Sequence, residues 1–169
     1  NTALTNFSLP ALTTVGNNLS IYNNTGLTST SFPALTTVES LSINGCAALT
    51  NIGLPALTTV GNNLNINNNT GLISTSLPAL TTVESLSISG PTFSSVSLPA
   101  LTTVSNSFLM GSSALSSATI NTLLAQLVSI SPTGIGIDFE FQNPPAPPTG
   151  QGVINKTTLI NAGNSVVTD

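Results

Sequence analysis

The chain has 169 residues and a formal net charge of −4, with one Lys or Arg, five Asp or Glu, no His, no Trp, and 4% of residues charged against 40% hydrophobic. A soluble domain is ordinarily about a quarter charged, so this surface has to be built from Ser, Thr and Asn. Lys156 is the only cation available to displace counterions from phosphates, which excludes nucleic-acid binding, and a chain without His and with one Cys supports neither a Ser-His-Asp set nor a zinc cluster. No cofactor, metal or catalytic residue is therefore expected. Mean hydropathy is +0.39, yet the longest apolar run falls far short of the roughly 20 residues of a membrane helix, so no membrane insertion is expected either. The lone Cys46 has no partner for an internal disulfide, which leaves packing and hydrogen bonds to hold the fold.

From the start of the chain the signal is repetition. LPALTTV begins at Leu9, Leu54, Leu77 and Leu98, and FPALTTV at Phe32; successive starts differ by 23, 22, 23 and 21 residues. A period near 22 is that of one solenoid coil, and five coils can be counted. Between these blocks recur Leu19-Ser-Ile21, Leu41-Ser-Ile43, Leu64-Asn-Ile66, Leu86-Ser-Ile88 and a degraded Phe108-Leu-Met110. Two apolar positions flanking a polar one have the two-residue period of a half-buried strand. Three residues beyond the second apolar position come Asn24, Cys46 and Asn69, then Leu27, Leu49 and Leu72. The result, L-x-I-x-x-(N/C)-x-x-L, is the leucine-rich-repeat pattern. It assigns Asn24, Cys46 and Asn69 to a structural ladder that bonds corner backbone. Cys46 lacks the cationic or helix-terminus neighbours that make a thiolate reactive. Residues 9 to 44 and 54 to 89 nearly superimpose, so the duplicated unit is two coils, odd ones carrying Gly-Asn-Asn before the strand and even ones Glu39-Ser or Glu84-Ser.

After the fifth coil the period changes. Ile120, Leu123, Leu124, Leu127, Val128 and Ile130 fall mostly at three- and four-residue intervals, with Ser116 or Ser117 to cap the start and Pro132 beyond the end. This predicts an amphipathic helix. Alternation in the next stretch, residues 134 to 142, predicts a strand with Ile135, Ile137, Phe139 and Phe141 inward and Asp138, Glu140 and Gln142 outward. A Pro-rich run then leads to a short helix near Val153 to Ala162 and a strand near Val166 to Thr168. The expected fold is mostly β: a right-handed leucine-rich-repeat-like solenoid with short parallel strands, a C-terminal amphipathic helix and a capping strand-helix-strand segment. The expected divisions are 1–115 for the five coils, 116–143 for the helix and final strand, and 144–169 for the crossover and cap.

The coils, of the kind LPALTTVGNNLSIYNNTGLTS, resemble those of bacterial leucine-rich-repeat surface proteins related to BspA-like and receptor-L-domain-like repeats. The resemblance covers nearly the whole chain. Its most specific part is the run from Pro144 to Gly152 followed by VINKTTLINAGNSVVTD, similar to a terminal segment of such proteins, although they carry an aromatic after the last Gly where this chain has Asn164. The resemblance implies an extracellular or cell-surface location and no particular reaction. Because Leu4 occupies the place of Leu27 and Leu49, the chain starts partway through a coil, and it is expected to be part of a larger chain.

Candidate sites divide by face. Ser20, Tyr22, Ser42, Asn44, Asn65, Asn67, Ser87 and Ser89 form the expected ligand face, polar, neutral and with Tyr22 its single aromatic. It suits weak, repeated contact with a protein or glycan surface better than one tight anchor. The Thr pairs stack into files, Thr13, Thr36, Thr58, Thr81 and Thr102 with their successors, which gives the alternative reading of an ice-binding surface; however, adjacent strand residues point to opposite faces. Glu39 and Glu84 are equivalent residues on an open surface, and Asp138 with Glu140 fits charged protection of a sheet face or edge better than a cation site. Sequons at Asn6, Asn18, Asn23, Asn68 and Asn155 keep a glycosylated fungal-type wall protein as a further alternative. Leu4, Phe7, Leu9 and Leu12 at the open first coil raise self-association into filaments as another.

Overall fold

The computed structural model describes residues 1–169. It is a mostly β solenoid of about five turns with two helices, and each turn contributes a long strand and, on another side, a three-residue one. The long strands are β2 (Thr14–Tyr22), β4 (Thr37–Asn44), β6 (Thr59–Asn67), β8 (Thr82–Ser89) and β10 (Thr103–Leu109). They alternate with the short β1 (Asn6–Ser8), β3 (Ser29–Ser31), β5 (Asn51–Gly53), β7 (Ser74–Ser76) and β9 (Ser95–Ser97). Beyond them follow α1 (Ser117–Ile130), β11 (Gly136–Phe139), α2 (Gln151–Asn161) and β12 (Ser165–Thr168). One parallel sheet of seven strands runs β12-β11-β10-β8-β6-β4-β2; the short strands form parallel sheets β1-β3-β5 and β7-β9.

The sequence pattern located only half of each long strand. The Thr-Val that ends each LPALTTV block lies in the same strand as the following L-x-I, and the short second strand carries no alternation long enough to see. Odd and even coils differ inside the long strand for a physical reason. Val15 faces Val38 and Asn18 faces Ser40, so Gly16-Asn17 oppose Glu39 alone, and the register shifts there. The same two-against-one pairing recurs where β6 and β10 meet β8. The Gly-Asn-Asn of odd coils is thus a β-bulge and the Glu-Ser of even coils its unbulged partner. Gly61 has a use here: the Glu39 carboxylate lies where its Cβ would stand, and Asn62 Nδ2 donates to Glu39 Oε1 at 2.7 Å.

One continuous core runs from Ile21 to Val166, filled in the middle coils by Leu41, Ile43, Leu64, Ile66, Leu86 and Ile88. The first coil is less covered: Leu4, Phe7, Leu9, Leu12, Val15 and Leu19 are only partly buried against it. Phe7 meets Phe32 edge-on at 5.9 Å between ring centres, a favourable geometry for two quadrupoles. Helix α1 is capped by Ser116, whose hydroxyl accepts from the Thr119 amide, and closes at Ser131 in the left-handed region; Ile120, Leu123, Leu124 and Leu127 face inward. Helix α2 crosses α1 closely, with Asn121 against Gly152 and bonded to Thr149 in both directions. No helix is long and apolar enough to cross a membrane.

The alternation expected over residues 134 to 142 stops at Phe139. Phe141 is not inward but 72% exposed, and Gln142 is not outward but 4% exposed. The chain turns there with Phe141 at φ +60, which inverts the faces. Nor is β11 an edge, since β12 pairs along its far side.

Candidate functional site

The outer face of the seven-stranded sheet follows from two-residue alternation. With Leu19 and Ile21 inward, Asn18, Ser20 and Tyr22 point out. Cross-strand register then aligns Ser20, Ser42, Asn65, Ser87, Leu109, Asp138 and Val167 in one file. Beside it Tyr22 pairs with Asn44 and Asn67 with Ser89. All eight expected ligand-face residues therefore share one surface. They also bond to one another. Asn44 Oδ1 accepts the Asn67 amide at 2.8 Å, Asn67 Nδ2 donates to Ser87 Oγ at 3.0 Å, and Ser89 Oγ donates to Asn67 Oδ1 at 3.0 Å. The Ser42 side chain, then Ser20 and last Asn44, lower the Tyr22 phenol from its ordinary pKa of 10.0, while burial acts in the opposite direction more strongly than Asn44.

The two Thr files differ in what their hydroxyls do. Thr36, Thr58, Thr81 and Thr102 each donate both amide and hydroxyl to the carbonyl of the preceding Thr in the file, beginning with Thr13, at 2.9 Å for each amide and 3.0 to 3.1 Å for each hydroxyl. That file is a corner clamp. Its neighbours Thr14, Thr37, Thr59, Thr82 and Thr103 sit in strand register. A second clamp, which the repeat pattern did not disclose, runs through Thr28 and Thr50, whose hydroxyls donate to the carbonyls of Thr5 and Thr28.

At the corner after each long strand, the ladder residues behave unequally. Asn69 is buried; its Oδ1 accepts the Cys46 amide at 2.9 Å and its Nδ2 donates to the Ile43 carbonyl at 2.8 Å, tying two coils. Asn24 donates only to the carbonyl of Tyr22 in its own coil. Cys46 is wholly buried, with its sulfur 3.8 Å from the Asn44 carbonyl. Two ladder members escaped the sequence reading. Ser113 accepts the Gly90 amide, and Gln142 accepts the Leu115 amide at 2.9 Å while donating to the Met110 and Phe139 carbonyls at 2.9 and 3.0 Å. Aligning Ile137-x-Phe139-x-x-Gln142 with Leu64-x-Ile66-x-x-Asn69 would have found the second.

The same alignment exposes an anomaly. The residue before each ladder position turns left-handed at Asn23 (φ 53), Gly45 (φ 68), Asn68 (φ 58) and Ser112 (φ 53), and then at Phe141 (φ 60). Gly and Asn visit that region readily, whereas a bulky side chain there is strained by about 1 kcal/mol or more. Beside Phe141 lies a shallow hollow of about 300 Å³ lined by Ser87, Ser89, Leu109, Gly111, Ser112 and Asp138. Asp138 Oδ1 accepts the Glu140 amide at 2.7 Å, and its carboxylate lies over Gly111. No three Asp, Glu, Cys or His side chains gather anywhere. Of the sequons, Asn6, Asn18, Asn23 and Asn68 are exposed, while Asn155 is buried and accepts from Gln151.

The class that this architecture defines is a β-solenoid repeat protein. No protein-family model, curated protein or solved structure matches the chain.

Proposed function

We propose that this solenoid is a non-enzymatic extracellular or cell-surface module of leucine-rich-repeat type, serving adhesion, spacing or assembly within a larger protein. The observation that supports it is the outer face of the long sheet, where Ser20, Ser42, Asn65 and Ser87 stand in register beside the Asn44–Asn67–Ser89 network. Such a face offers many neutral hydrogen-bonding groups at a fixed repeat and few groups that bind tightly alone. Affinity then grows by repetition along the sheet or among copies. The residues after Phe139 act in this reading as the solenoid's terminal cover. The test is protease treatment of intact producing cells, with loss of the protein and of cell adhesion expected together. Protein that survives such treatment while intracellular markers also stay intact counts against the surface assignment.

A second reading has one observation in its favour. Thr14, Thr37, Thr59, Thr82 and Thr103 form a registered row of the kind an ice-binding surface requires, with Glu39 and Glu84 two residues further along the even strands. Faceted ice at micromolar protein, made round by Thr59→Lys with Thr82→Lys, is the expected result; round crystals with the unaltered chain eliminate it.

A further inference from the structure

We propose that the hollow between Phe141 and Asp138 is a binding subsite for one neutral hexopyranose ring of a glycan. Phe141 is 72% exposed at φ +60, so it gains little from burial and occupies a conformation that Asn, Gly or Ser adopts at the matching corners. A residue that breaks the local rule with no packing return points to a role outside folding. Its ring flanks a hollow of about 300 Å³, enough for a single sugar ring and at the small end of ligand sites. The chemistry of the wall is amphipathic in the way a sugar is. The aromatic face, electron-rich at its centre, suits the row of polarised C–H groups on one side of a pyranose.

Opposite the aromatic, Asp138 offers carboxylate acceptor capacity beyond its bond to the Glu140 amide; Ser112 lines the same hollow, as do Ser87 and Ser89, whose hydroxyls are held by Asn67 and keep acceptor capacity toward it. A carboxylate accepting from sugar hydroxyls makes a charge-assisted bond, and Asp138 with Glu140 nearby disfavours an acidic sugar. Gly111 lines the hollow, where a Cβ would crowd the Glu140 carbonyl at 3.1 Å and Asp138 Oδ1 at 3.2 Å. The other chemistry that an aromatic and a carboxylate share is capture of an ammonium group. One ring rather than a cage of several, beside three hydroxyls, favours the sugar.

The inference deepens the surface-module reading, and its test separates the two. The intact 169-residue chain is titrated with methyl hexopyranosides and neutral disaccharides, and separately with choline, while backbone amide resonances are followed. Shifts at Gly111, Ser112 and Phe141 with a dissociation constant on the order of 1 mM are expected for at least one neutral sugar. Phe141→Asn and Asp138→Asn should each weaken it about tenfold or more, with no fall in melting temperature for Phe141→Asn. Response to choline alone, no response to any sugar, or binding that survives Phe141→Asn overturns the subsite. Failure of the protease test on intact cells overturns the surface-module reading alone, because the titration of the isolated chain decides the subsite without it.

Discussion

The middle coils and the segment after Met110 solve the same corner problem with different residues. Between Leu41 and Ile88 every coil lies between two others, and its strands and first Thr file meet equivalents above and below. Asn69 bridges neighbouring coils from a buried position, and the Thr36–Thr58–Thr81 file repeats one bond geometry. Past Met110 the ladder is kept by Ser113 and Gln142, the intervening coil is stretched by α1, and the left-handed corner holds Phe141 where the repeat holds Asn or Gly. Repetition protects the middle by redundancy. The irregular end depends on single residues and has room to carry individual ones for other purposes.

Opening the core should have the largest effect. Leu64 is fully buried between two coils, and Leu64→Ala should destabilise by about 3 kcal/mol. Leu19, in the same register at the partly covered first coil, should lose roughly half as much. Denaturant titration measures both, and equal losses would mean that the first coil is as well covered as the third.

Corner groups come next. Asn69→Ala leaves the Cys46 amide and the Ile43 carbonyl buried without partners, at about 1 to 3 kcal/mol for each such group. Asn24→Ala, removing one exposed bond within its own coil, should change stability by about 0.5 kcal/mol or less. Gln142→Ala should match or exceed Asn69→Ala, because an amide and two carbonyls depend on it. A smaller loss would mean that the irregular end relaxes around the deletion.

Two substitutions should stabilise. Thr75 Oγ1 is buried without a hydrogen-bond partner, as is Thr30 Oγ1, at a position held by Ile52 and Val96 in other coils. Thr75→Val keeps the shape and removes the unmet hydroxyl, a gain of about 1 kcal/mol. Phe141→Asn should gain a similar amount by relieving the left-handed corner. Thermal unfolding checks each, and a lower melting temperature for either would show packing that the burial pattern does not reveal.

How much of this was legible in sequence follows from the same contrast. The coil period, the L-x-I strands, helix α1 and the shared face of Ser20 through Ser89 could be read because repetition averages out local noise. The short strands could not, since three residues such as Ser29–Ser31 carry no periodicity. Phe141 and Gln142 were misplaced because alternation assumes an extended backbone and the turn at φ +60 reverses it. The ladder pattern competing for the same residues was the better guide. The Glu39 and Gly61 contact was also hidden, as it depends on a bulge whose sequence trace is one extra residue in odd coils.

The smallest effect compares the two exposed aromatics, Phe141 and Tyr22. Phe141 stands in a strained corner; Tyr22 ends an ordinary strand, 52% exposed, with its phenol among the Ser42, Ser20 and Asn44 side chains. These polar neighbours favour the phenolate, so ionisation should begin below the ordinary 10.0, and Ser42→Ala should move the midpoint back up more than Ser20→Ala. The chain has one Tyr and no Trp, so near-ultraviolet absorbance during a pH titration reports this group alone. The sign for stability follows by linkage. A phenol whose folded pKa is depressed adds stability only at pH above its unfolded pKa, and that increment is gone once pH falls through the folded one, which leaves nothing at neutrality. A midpoint at or above 10.0 in the unaltered chain, or one indifferent to Ser42→Ala, would mean that the hydroxyls around Tyr22 are turned to solvent and that this end of the face is less ordered than its hydrogen-bonded centre.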